Sequence, residues 1–295
     1  MKVCYEPPRK IQKKTEEIIH EADRIFKDYQ AQGYDLTVRQ LFYQFVGTQP
    51  LNTFYENTKK NYDRLVDIVS NGRLWGMLDW DAVVDRTRSL AGNNHWDNPQ
   101  HLIEWASEDY AIDKWKDQPL RVEVWVEKDA LRGVVGQVCS ELDLDHFSCR
   151  GYPSWTSLWE ASTRLLQAHD EGKQSVILHL GDHDPSGIDM SRDIQDRLSR
   201  LGVSAELKRI ALTRHQVDTL GLVPSFAKFK DSRAKDYISK HGHESWELDA
   251  LEPAFISDLI RGEVALLRDD DLYSQRESTE EQDREELSTL VKGPN

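Results

Sequence analysis

Apolar residues in the first ninety positions recur at helical spacing. Ile11, Ile18, Ile19, Ala22 and Phe26 share one face of a helix expected over about 10–30, ended by Gly33. In DLTVRQLFYQFVG, Thr37 and Gln40 form a capping-box pattern, and Val38, Leu41, Phe42, Phe45 and Val46 make the apolar arc of a second helix stopped by Gly47. A third helix is expected over about 58–71, burying Tyr62, Leu65, Val66 and Val69, with short extended segments over 75–84. Beyond residue 120 the rhythm changes. VEVWV (122–126), HFSC, SVILHL (175–180) and a stretch near 206–212 read as strands, and the segments 131–142, 155–168 and 187–200 between them read as helices.

Repeated βα units predict a Rossmann-like parallel sheet covered by helices on both faces, hence an α/β fold. Three helices and a short wing ahead of it are the outline of a winged-helix module, a pattern that other small helical domains share. The polar, Asn-rich stretch 92–119 marks the boundary and carries one short helix. The expected organisation is therefore a helical domain over 1–91, a connecting segment over 92–119, and the sheet domain over 120–295. The last 35 residues hold five basic and ten acidic side chains, and read as a solvated helix fraying into disorder.

Composition narrows the classes. Three cysteines with no CxxC pair argue against a disulfide framework and a zinc cluster, and point to the cytosol, with nucleoid association as the bacterial, archaeal or phage version. No apolar leader opens the chain and no run is long enough to cross a bilayer, so no membrane partner is expected. The net charge of −14 weighs against a polyanion. It is unevenly spread: fourteen basic face thirteen acidic residues through Leu90, and 24 face 39 beyond. The first third remains able to meet nucleic acid, with Lys59, Lys60, Arg64, Arg73, Arg86 and Arg88 as candidate contacts, solvated or salt-bridged charges being the alternative for each.

Two predicted strands end on acids. Glu127 follows VEVWV, and Asp182 and Asp184 follow VILHL in HLGDHDPSGIDM. Sites in parallel sheets lie at the carboxyl ends of the strands, so all three acids are expected at one edge. Clustered carboxylates repel unless a cation sits among them, and hard oxygen donors suit Mg²⁺ or Mn²⁺. Asp184 before Pro185 is also a good helix N-cap, a role open to neither Asp182 nor Glu127. His183 reads as an exposed loop histidine, with ligand or proton carrier as the alternative. Phosphatases and receiver domains also place acids after such a strand.

On the second helix, Tyr43 lies about a third of a turn from the centre of the apolar arc, and Arg39 sits one turn earlier on nearly the same face. An arginine beside a phenol favours phenolate and binds phosphate oxygens, which suits attack on a phosphodiester. The alternative is a half-buried interface tyrosine.

Strand-Glu-Lys and strand-Gly-Asp-x-Asp-Pro-x-Gly together resemble the Toprim domain. TVRQLFYQ ahead of it resembles the nucleophile motif of the topoisomerase VI A subunit and meiotic double-strand-break protein superfamily. VEVWVEKDAL, GYPSW and GDHDPSG follow in that family's order, over roughly 36–212, with a fainter echo in WELDAL (246–251). The resemblance implies a winged-helix (CAP-like) domain followed by a Toprim domain, with Tyr43 as nucleophile forming a 5′-phosphotyrosyl link and Arg39 as phosphate clamp. It further implies Glu127, Asp182 and Asp184 as Mg²⁺ ligands, double-stranded DNA as partner, a homodimer in which the tyrosine of one subunit meets the metal site of the other, and a separate ATPase subunit, since the chain has no GxxxxGK loop. Two alternatives stand beside DNA cleavage through Tyr43: a Toprim endonuclease using metal-activated water in a mobile-element or defence role, and a non-catalytic DNA-binding subunit.

Overall fold

Residues 122–126 of a central strand, β1 (Leu120–Val126), are all buried, because Val122, Val124 and Val126 face one layer of helices while Glu123 and Trp125 face another. The structure, a computed structural model, describes residues 2–8, 10–48, 56–83, 94–226 and 234–292. Strands β2 (Asp145–Ser148), β3 (Gln174–Leu180) and β4 (Ala205–Ala211) join β1 in a four-stranded, wholly parallel sheet of order β2-β1-β3-β4. The chain leaves β1 to one side to make β2, then crosses to the other side for β3. The order therefore reverses between β1 and β3, which opens a crevice at their carboxyl ends.

Eleven helices are present among the described residues. In the first third, α1 (Lys13–Ala31), α2 (Val38–Thr48) and α3 (Lys59–Leu74) pack on one another through Ile18, Ile19, Phe26, Leu41, Phe42 and Leu65, close to the expected bounds. Thr37 and Gln40 bond to each other at the start of α2, as a capping box should. The segment expected as a wing holds a 3-10 turn over Trp80–Ala82 and two isolated bridges, Cys4 with Trp75 and Leu36 with Val83. After α4 (Pro99–Glu108), the polar connecting segment ends on Trp115, which is buried and donates to the Leu142 carbonyl.

On one face of the sheet lie α5 (Arg132–Glu141) and α10 (Pro253–Ala265); on the other lie α6 (Trp155–Asp170) and α7 (Pro185–Arg200). The core under α5 and α10 is continuous with that of the first three helices, so the two halves share one apolar interior. Short helices α8 (Arg214–Leu220) and α9 (Ala234–His241) and a two-residue antiparallel ladder (225–226 with 244–245) complete the carboxyl side.

The charged tail departs from its expectation. Its first five residues close α10, and beyond them α11 (Asp270–Lys292) is the expected helix, but one tied to the connecting segment. Glu280 is buried, accepting from the Ile112 amide and pairing with Lys114, while Tyr110 donates to Asp283 and Arg284 donates back to the Tyr110 carbonyl. Acids that look solvated in one dimension are here answered by donors some 170 residues earlier. No helix among the described residues is long and apolar enough to cross a membrane.

Candidate active site

Glu127 and Asp182 stand at the carboxyl ends of β1 and β3, on either side of the crevice. Glu127 Oε2 accepts from the Asp182 amide at 2.8 Å, which fixes the two strand ends to each other. Asp182 is buried, and its Oδ1 accepts from the Leu248 amide at 2.7 Å and faces Lys128 Nζ at 3.2 Å. Asp184 caps α7, Oδ1 accepting from the Gly187 amide at 2.6 Å, with Pro185 in the first turn. Gly187 is required for this turn, because a Cβ there would collide with the Asp182 carbonyl.

Burial acts first on the two strand-end acids. Burial raises Asp182 to about 7, and the neighbouring charges of Glu127 and Asp184 add to it against Lys128. Glu127 is raised by burial and by Asp184. Beneath them Arg209, lowered by its own burial, donates to the carbonyls of Gly181, Asp182 and Gly187.

Each of the three carboxylates thus commits one oxygen to a backbone amide. Glu127 Oε1, Asp182 Oδ2 and Asp184 Oδ2 accept no hydrogen bond among the described residues. Hard oxygen donors have the chemistry of an Mg²⁺ or Mn²⁺ site. Among the described residues, however, no three His, Cys, Asp or Glu side chains are gathered so that they could hold an ion as they stand. The counter-charge is carried by Lys128 and Arg209.

Lys128 extends the cluster toward α2. Its Nζ reaches Glu247 Oε2 at 2.8 Å and Asp249 Oδ2 at 3.0 Å as well as Asp182, and these three acids raise it well above its ordinary value against the cost of burial. Glu247 in turn receives Arg39 Nη2 at 2.8 and 3.0 Å, and Arg39 lies 3.4 Å from the Tyr43 hydroxyl. Burial would raise Glu247; Lys128 and Arg39 outweigh it and bring the carboxyl down to about 2. A chain of charges therefore runs Tyr43–Arg39–Glu247–Lys128–Asp182, from the helical third to the sheet edge.

Three expectations are corrected here. Tyr43, placed outside the apolar arc and not needed for the core, is buried at 6% exposure, and the 3-10 turn Leu248–Ala250 packs on α2. Arg39 does not make its phenol acidic; burial and the Glu247 charge raise it despite Arg39 and Lys128. His183 is buried rather than exposed, with Nδ1 at the Leu212 carbonyl, its backbone paired with Trp246, and burial lowering it to about 4. A cleft of about 320 Å³ opens beside Tyr43, walled by α2, residues 220–223 and Phe255; it flanks the phenol and does not reach the carboxylates.

The basic candidates separate. Lys59, Lys60 and Arg64 are exposed on α3. Arg73 is committed inward, donating to the Trp80 carbonyl with its guanidinium 4.5 Å from the Trp80 ring centre. Arg86 and Arg88 lie outside the described residues. Sequence reading missed Lys128, Arg209, Glu247 and Asp249; Lys128 was signalled only by its place after Glu127, and Glu247 and Asp249 by WELDAL. No protein-family model matches the chain, and no curated protein matches it.

Proposed function

We propose that the chain is a metal-dependent DNA-cleaving enzyme of the topoisomerase VI A type, a winged-helix (CAP-like) domain followed by a Toprim domain. One observation carries the reading: the ion-paired chain that joins Tyr43 and Arg39 to Asp182. A nucleophile candidate, a phosphate-binding guanidinium and a carboxylate edge belong to one electrostatic unit, which a purely structural tyrosine would not need. In the proposed step the Tyr43 oxygen attacks phosphorus, the bond from phosphorus to the 3′ oxygen breaks, and the products are a 5′-phosphotyrosyl link and a 3′ hydroxyl. Arg39 turns from Glu247 to the phosphate. Glu247, relieved of one cation, becomes the better proton acceptor for the phenol, while the leaving 3′ oxygen takes its proton from water. Glu127, Asp182 and Asp184 would hold a Mg²⁺ or Mn²⁺, which would supply charge stabilisation at the phosphate.

The burial of Tyr43 favours a second reading, in which the tyrosine is structural and metal-activated water cuts DNA at the carboxylate edge. Supercoiled plasmid incubated with Mg²⁺ or Mn²⁺ and quenched in denaturant separates the two. The first reading expects protein attached to 5′ ends, lost in Tyr43→Phe and in Asp182→Ala. Breaks with free ends that survive Tyr43→Phe support the second. Absence of breaks with and without an ATPase partner leaves a non-catalytic DNA-binding subunit.

A further inference from the structure

Three acids converge on one ammonium. Lys128 places Nζ 3.2 Å from Asp182 Oδ1, 2.8 Å from Glu247 Oε2 and 3.0 Å from Asp249 Oδ2. Asp182 comes from the end of β3, while Glu247 and Asp249 come from the 3-10 turn Leu248–Ala250 and the residue that opens it, a turn whose Leu248 amide also donates to Asp182 Oδ1. Among the described residues no three acids are gathered to hold an ion as they stand, yet these three are gathered around a cation that the chain itself supplies.

Glu247 is shared with a second cation. Arg39 Nη2 reaches the same Oε2 at 2.8 Å and Oε1 at 3.0 Å, so one carboxylate oxygen serves both Arg39 and Lys128. Arg39 keeps 33% of its side chain accessible, and its guanidinium lies 5.0 Å from the Tyr62 ring centre and 5.5 Å from that of Tyr43. Solvent anions can therefore reach this arginine, and two rings hold it in place when its acidic partner changes.

We propose that Lys128 is a positioning residue that decides when Asp182 is free to take a divalent cation, and that an oxyanion captured by Arg39 is what releases it. When Arg39 gives up Glu247 for the oxyanion, that carboxylate attracts Lys128 more strongly. The shift asked of the ammonium is small, since Nζ already lies closer to Glu247 and Asp249 than to Asp182. Asp182 then loses the positive charge that competes with a metal for it. The coupling is reciprocal: a metal at the carboxylate edge strengthens oxyanion binding at Arg39 by the same factor, so phosphate and metal are taken up together. The proposal rests on the reading of Glu127, Asp182 and Asp184 as metal ligands and of Arg39 as the phosphate clamp, and adds what regulates their occupancy.

The test is a double-mutant cycle on Mn²⁺ affinity, measured on the full chain without DNA by the paramagnetic resonance of free Mn²⁺, with a thermal melt of every variant. Arg39→Met leaves Glu247 to Lys128 in the absence of any oxyanion, and is expected to tighten Mn²⁺ binding about fivefold. In a Glu247→Gln background the same change is expected to alter it less than about twofold, because the acid that draws Lys128 away is gone. If Arg39→Met does not fold, Arg39→Gln carries the same cycle. An equal gain in both backgrounds overturns the proposal, since the plain loss of one positive charge acts whether or not Glu247 is ionised. No gain in either background also overturns it, and Mn²⁺ binding absent from every variant removes the metal reading along with it. Cleavage fails separately: plasmid left intact by a chain whose cycle is coupled sinks the cutting reading alone, whereas Tyr43-linked breaks with an additive cycle sink the coupling alone.

Discussion

Lys128 is the residue on which most of the site's charge depends. It faces Asp182, Glu247 and Asp249 from a buried position; its removal leaves Asp182 and Asp249 without this cation, while Glu247 keeps Arg39. Lys128→Met is expected to cost about 3–5 kcal/mol in urea unfolding, since breaking a buried pair from one side leaves uncompensated charge. His179 makes a pH-dependent contribution of opposite character. It is wholly buried with Nδ1 against Ser191, and burial holds it at about 3, against 6.5 in the unfolded chain. Between those values the unfolded chain binds a proton that the folded one refuses, so stability falls as pH drops from about 6.5 to 3, by at most about 1.4 kcal/mol per pH unit. Unfolding measured at pH 7 and pH 5 should show this slope reduced in His179→Gln relative to wild type. At this scale the sequence was informative about Glu127 and Asp182, which end apolar strands. It was silent about what neutralises them, because Glu247 and Asp249 lie some 120 residues from Lys128.

At the scale of elements, the turn from β3 into α7 does two jobs that can be separated. Asp184→Asn keeps the cap, since an amide oxygen can accept from Gly187, but removes the charge. It is expected to preserve the melting temperature while lowering metal-dependent cleavage at least tenfold. Asp184→Ala should lose about 1 kcal/mol of stability in addition. Gly187→Ala forces the turn off the Asp182 carbonyl and is expected to destabilise by about 1–3 kcal/mol in thermal melts. DPSG announced this cap in one dimension, as TVRQ announced the cap of α2, because capping is local. The cover over Tyr43 was not legible. A helical wheel defines which face of α2 is apolar but not what distant segment packs on the helix, and here that segment is Leu248–Ala250. The tail failed for the same reason: Glu280 looks solvated until Ile112 and Lys114 are brought to it.

For the whole molecule, the charge is split between its parts. The near-neutral first third presents Lys59, Lys60 and Arg64 on α3, while along α7 of the acidic remainder Arg192 and Arg197 are paired with Asp189, Asp196 and Asp193. A shared core joins the two. The homodimer that the resemblance implies would show complementation: if each tyrosine works with the other subunit's carboxylates, co-assembled Tyr43→Phe and Asp182→Ala chains regain one intact site and about half the wild-type cleavage per mixed dimer, while each variant alone is inactive. If the chain of ion pairs within one subunit is the working site, mixing restores nothing. The central claim, that Tyr43 is the group joined to DNA, is tested most directly by peptide mapping. Protein quenched on cleaved plasmid, treated with nuclease and digested with trypsin should yield the peptide 40–59 bearing a nucleotide on Tyr43, and Tyr43→Phe should yield none. Breaks with free 5′ phosphates and an unmodified 40–59 peptide would contradict the account.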